Sequence, residues 1–244
     1  MLRGAARCSD QAHRATFGYV RQAAGFGADD STIIEMSIVN KGLFAKLKDV
    51  AHWRLRRGWP VLALALASLT LELAGDSGRL WGRYDGALVT QGEYWRLITA
   101  HVVHLGWGHL WPNLTALLLI GALFEDLFDA GMWLVVAAAA AGSIDLGLLL
   151  LDRDVDWYVG LSGVLHGFVA AGALTAWLRG QSIGWLLALG LAAKLVWEQT
   201  MGPVPFTAAA VGGPVVVASH LYGTAGGLLA AAATRIVRAR RARV

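Results

Sequence analysis

Residues 131–151, GMWLVVAAAAAGSIDLGLLLL, form an apolar run broken by a single charge, Asp145. A helix of about 20 such residues is long enough to cross the hydrocarbon layer of a bilayer. Five further windows, 59–74, 109–128, 160–178, 182–198 and 214–233, meet or approach that length. With 56% hydrophobic and 16% charged residues and a mean hydropathy of +0.52, the chain is too apolar for an ordinary soluble domain. The windows predict an all-α, polytopic membrane protein with a six-transmembrane-helix bundle and leave no room for a second large core. Lys46, Lys48, Arg54, Arg56 and Arg57 precede the first window, and Arg235, Arg238, Arg240, Arg241 and Arg243 follow the last. Both termini therefore read as cytoplasmic, which suits an even number of spans, and the expected location is the cytoplasmic (inner) membrane, crossed several times. The pI of about 9.5 then reflects topology and contact with anionic lipid, not nucleic-acid binding.

Composition divides the chain into three parts. Residues 1–50 read as a polar, disordered tail without the apolar core of a signal peptide, and a start at Met36 would leave the membrane part intact. Residues 51–235 are the membrane domain, and 236–244 are a basic cytoplasmic tail. Cys8, the single cysteine, lies in the first part, so no internal disulfide or thiolate cluster can form. Residues 75–108 form a long outer loop with Trp81, Tyr84, Tyr94, Trp95 and Trp107, a density of aromatics that suits the headgroup layer. The outer loop 199–213, QTMGPVPFTAAAVGG, has little to fix it, and together with the fifth span it is the candidate gate. Short inner links at Asp129–Ala130 and Arg179–Gln181 force antiparallel neighbours. No repeat or inverted symmetry relates the halves, which argues against a secondary transporter.

Polar groups inside a span are costly, so each is a functional candidate. Lys194 and Glu198 stand four apart on one helix face and can pair with each other, whereas Asp145 has no evident partner. His101, His104 and His109 lack a His-Glu-x-x-His pattern or an acidic third ligand, so no metal or other cofactor is expected. The remaining groups share a depth. His109 and Asn113 lie in the first turns of the second span, Ser162 in the first turn of the fourth and His220 about two turns inside the sixth, all entering from the outer side. A hydroxyl, an imidazole and hydrogen-bond donors at one end of a bundle are what acyl transfer requires. A serine in a first helical turn also lies among unpaired backbone N–H groups, where an oxyanion is stabilised. The competing reading of Gly160-Leu161-Ser162-Gly163 is helix packing, because Gly-x-Ser-Gly arises by chance in about one chain in eight this rich in glycine. Gly163, Gly167 and Ala171 form one small-residue stripe, and His220, Gly223 and Gly227 share a face of the sixth span.

In order and spacing, the stretches GEYWRLITA with Trp95 and Arg96, HLWPN, GLSG and SHLYGTAGG resemble the rhomboid family of intramembrane serine proteases, from about residue 55 to 235. The resemblance implies Ser162 as nucleophile and His220 as base, a dyad without a third, acidic member. It also implies His109, Asn113 and the Ser162 backbone N–H as oxyanion donors. Gly160, Gly163, Gly223, Gly227, Trp95 and Arg96 fall in a supporting role. SGVLHG, KLVWEQ and GGPVVVASHLYG are similar to one branch, the rhombosortases. His166 stands where many rhomboids carry Tyr or Phe, and it competes for the role of base; a residue on a facing helix is better aimed at the hydroxyl than an i+4 neighbour, which favours His220. The branch implies substrates that are membrane-anchored secreted proteins ending in Gly-Gly, a hydrophobic helix and a basic tail. The alternatives are a general rhomboid protease acting on other single-span proteins and a non-catalytic rhomboid-like chaperone, which would be expected to lack the serine or the histidine.

Overall fold

The computed structural model describes residues 56–205 and 211–241, which belong to one compact unit, Trp53–Val244. The expected tail at 1–50, with Cys8 and Met36, lies outside the described residues, as do 206–210 in the candidate gate loop and the last three residues of the basic tail.

Each apolar window contains one helix. The first, α1 (Arg56–Leu73), runs into α2 (Gly75–Gly82) through a bend of 119°. Gly75 makes that bend at φ +62°, a conformation open to glycine at little cost. Beyond α2 come β1 (Tyr84–Asp85), α3 (Gly86–Thr90), α4 (Arg96–Thr99), α5 (Trp107–Leu123), α6 (Ala130–Leu150), β2 (Trp157–Tyr158), α7 (Ser162–Leu178), α8 (Ile183–Met201) and α9 (Ala218–Arg241). Among the described residues, α6 is the one helix that is long and apolar enough to cross a membrane by itself, and the bent pair α1–α2 also passes when taken together. The other windows give helices that are shorter, such as α7 with 17 residues, or that carry charge, such as α8 with Lys194 and Glu198.

The core is centred on α6 and α7. Asp129 caps α6 by accepting from the Met132 N–H at 2.8 Å. Val136, Ala140, Ile144 and Leu148 then bury one face of it. At its start Trp133 meets Phe128 and Phe168 edge to face, at 4.7 and 4.9 Å. Large apolar side chains such as Leu119, Leu134, Leu146, Leu189 and Leu229 point outward, the inside-out pattern that a lipid environment accommodates and water does not.

The long loop 75–108 holds more order than its composition suggests. Arg96 is buried and donates to the Leu80 and Arg83 carbonyls, both at 2.9 Å, and to Glu93 at 2.7 Å. Trp95 stacks on Trp81 at 6.1 Å and donates to its carbonyl. This packed loop is tied to the segment before Ser162 by the antiparallel pair Tyr84↔Tyr158, Asp85↔Trp157, the one ladder among the described residues. The Gly160 N–H adds a bond to the Ala100 carbonyl at 2.9 Å.

Candidate active site

Packing of α7 on α9 fixes the site. A Cβ on Gly223 would run into the Gly163 carbonyl, and one on Gly227 into the Gly167 carbonyl. A Cβ on Gly163 would lie 3.0 Å from the Ser219 carbonyl oxygen. These helices touch backbone to backbone, which only the small-residue faces permit.

The contact sets Ser162, the first residue of α7, opposite His220, in the first turn of α9. His220 lies nearer its helix start than its window suggests because Pro214–Val217 is not helical. The His220 Nε2 to Ser162 Oγ distance is 3.0 Å. On its other side His220 Nδ1 lies 2.8 Å from Glu198 Oε2, and Glu198 Oε1 accepts from Lys194 Nζ at 2.5 Å. The expected Lys194–Glu198 pair is present. The resemblance implies no acid behind His220; in the structure the two oxygens of the Glu198 carboxylate turn one to Lys194 and the other to His220. A carboxylate facing Nδ1 holds the ring proton there, which leaves Nε2 free to accept from the serine hydroxyl.

His166 does not reach the Ser162 hydroxyl. Its Nδ1 lies 2.7 Å from the Ser162 carbonyl oxygen, and its ring stacks on His220 at 4.1 Å and 12°. His166, Glu198 and His220 offer donor atoms within 4.8 Å of one another. The two rings are nearly parallel, however, so their in-plane lone pairs run side by side and do not converge on one ion.

His109 and Asn113 complete the pocket from α5. The Leu105 N–H donates to His109 Nδ1 at 3.3 Å, which puts the ring proton on Nε2. Asn113 Nδ2 donates to the His109 carbonyl at 2.9 Å and retains a second N–H. Gly160 has φ +128°, and a Cβ there would lie 3.0 Å from the His109 ring and 3.9 Å from Ser162 Oγ. A cavity of about 590 Å³ joins His109, Asn113, Ser162 and His220 to apolar side chains of α5 and α8, among them Ile120, Leu187 and Leu191.

Trp95 and Arg96 are not brought to this pocket; they hold the outer loop together. Asp145, which the sequence leaves without a partner, meets His101 Nε2 at 3.2 Å. Burial pushes the nearby Tyr84 hydroxyl above its ordinary pKa, with Asp145 and Asp85 adding to the effect, and burial likewise raises Tyr158. Burial lowers His104 to about 3, helped by His109 at a ring distance of 4.9 Å, so this imidazole is neutral at pH 7. Sequence reasoning missed Glu198 as a partner of His220. Its depth, near the outer end of its span like His220, was the available signal.

A family model described as a Rhomboid domain matches residues 91–236. Over 81 residues the chain is 37% identical to rhomboid protease GluP of Bacillus subtilis (strain 168), a stretch covering 30% of this chain and 16% of that protein. Over 141 residues it is 25% identical to the putative rhomboid protease YdcA of the same organism, covering 58% of this chain and 67% of that protein. The family match takes in more than half of the sequence together with every residue of the pocket, and the chain belongs to the rhomboid family.

Proposed function

We propose that this protein is an intramembrane serine endopeptidase in which Ser162 is the nucleophile and His220 its base. The observation that carries the reading is the 3.0 Å contact between Ser162 Oγ and His220 Nε2 in a cavity whose polar lining gathers around that pair and whose remaining walls are apolar. Ser162 Oγ attacks the scissile carbonyl as Nε2 takes its proton. The resulting oxyanion accepts from His109 Nε2–H, the Asn113 amide and the Ser162 backbone N–H at the start of α7. Collapse of the intermediate expels the amine, which takes the proton from His220, and a water activated by the same imidazole then releases the acyl group from Ser162.

Substrate helices enter between α5 and α8, whose apolar residues line the cavity beside Ser162. Six spans with both termini in the cytoplasm would put the pocket near the outer face of the membrane. The resemblance of SGVLHG and KLVWEQ to rhombosortases supports a narrower reading, in which the substrates are secreted proteins ending in Gly-Gly, an apolar helix and a basic tail. Glycines have low helix propensity, so the chain unwinds there most readily. The test is co-expression with a reporter carrying such a tail and mass measurement of its new C-terminus. Wild type should cut near the glycines, and Ser162→Ala and His220→Ala should not. Normal processing by Ser162→Ala would overturn the protease reading. Equal cutting of single-span reporters without Gly-Gly would leave a general rhomboid protease.

A further inference from the structure

We infer that Glu198 is a positioning residue for His220, so that the site works as a serine–histidine–glutamate triad spread over three helices. The inference rests on the protease reading above and adds to it a third residue that the dyad leaves out.

Glu198 is buried on α8, a helix whose other buried residue is Gly184 alone. A buried carboxylate is costly unless its oxygens are engaged, and here both are, by Lys194 and by His220 Nδ1. Lys194 alone would account for an ion pair between helix neighbours. It does not account for the second oxygen meeting, at 2.8 Å and from a different helix, the ring nitrogen opposite the one that faces Ser162. A carboxylate at Nδ1 fixes the tautomer that leaves Nε2 basic, and it stabilises the imidazolium that forms once the serine proton is taken. His166 holds the ring from its flat side by stacking at 4.1 Å, so His220 is fixed in orientation by one neighbour and in tautomer by the other. The titratable groups facing His220 are Ser162 and His166 on α7 and Glu198 on α8, with Lys194 behind the last.

Glu198→Gln keeps the shape and a hydrogen bond but loses the charge. It should lower kcat by about 10²- to 10⁴-fold with KM little changed. Loss of the anion also makes the imidazolium harder to form, so the acidic limb of the kcat/KM profile should move to lower pH. Lys194→Met removes a cation from the same carboxylate, so it should move that limb to higher pH and keep most of kcat. Glu198→Asp retains the charge and should recover part of the activity lost in Glu198→Gln. If Glu198 only anchors Lys194, Glu198→Gln and Lys194→Met will lower thermal stability alike and leave the pH profile in place, which overturns the inference. Should Glu198→Gln fail to fold, the direction of the Lys194→Met shift decides. Ser162→Ala and His220→Ala run in the same assay separate the two levels: if they cleave, the protease reading falls, whereas if only Glu198→Gln cleaves normally, the triad falls alone.

Discussion

The two walls of the pocket are built differently. On one side α7, α9 and α6 meet through glycine and alanine, with carbonyl groups of one helix seated against glycines of the next, as at Gly163 with Ser219 and Gly167 with Gly223. On the other side α8 turns leucines such as Leu186 and Leu189 outward and buries only Gly184 and Glu198. Ser162 and His220 thus sit on a seam with almost no slack, while Glu198 rides on a helix that meets α7 closely at its start, where Gly184 lies against the backbone of Ala173 and Trp177, and is sparsely packed beyond it. Close packing fixes geometry, and sparse packing permits the opening that a substrate helix needs. On the proposed protease reading, the division puts Ser162 and His220 on the rigid side and access on the loose side.

Substitution can break this contrast or sharpen it. Gly223→Leu should cost most, about 3 kcal/mol or roughly 10 °C in Tm, because the Gly163 backbone has nowhere to move; thermal unfolding in detergent reads it, and activity should disappear with the seam. Gly160→Ala should separate function from fold. Its φ of +128° resists a side chain, and the new methyl group would push on the His109 ring. Activity should fall about 10- to 100-fold in a cleavage assay, with only a few degrees lost in Tm. Gly190→Ala tests the loose wall, since a Cβ at Gly190 meets nothing within 4 Å. It should change stability by no more than about 1 kcal/mol, in the stabilising direction, because alanine is the better helix former. A large loss there would show that α8 is as tightly held as α7. Leu189→Ala, on an exposed position of the same helix, should lie within about 0.5 kcal/mol of wild type.

Much of the tight wall was legible in the sequence, because it is written in local patterns. Gly163, Gly167 and Ala171 repeat every four residues, and so do Gly223 and Gly227, which a helix places on one face. Ser162, His109, Asn113 and His220 could be matched by depth, since each lies near the outer end of its apolar window. The loose wall was harder to read. Glu198 has a satisfying partner four residues away in Lys194, and that pairing concealed its second oxygen, which reaches His220 across 22 positions. Asp145 and His101 are 44 positions apart and share no periodicity, so only the folded chain brings them together. The short ladder between Tyr84–Asp85 and Trp157–Tyr158 was hidden for the same reason, as two residues carry no alternation to detect.

The central claim is that His220 activates Ser162. Purified wild type, Ser162→Ala and His220→Ala, each shown to unfold at a similar temperature, would be treated with a fluorophosphonate probe and analysed by peptide mass spectrometry. An adduct is expected on Ser162 in the wild type, little or none in His220→Ala, and none in Ser162→Ala. An unlabelled Ser162 in folded wild type, or equal labelling of Ser162 without His220, would contradict the claim.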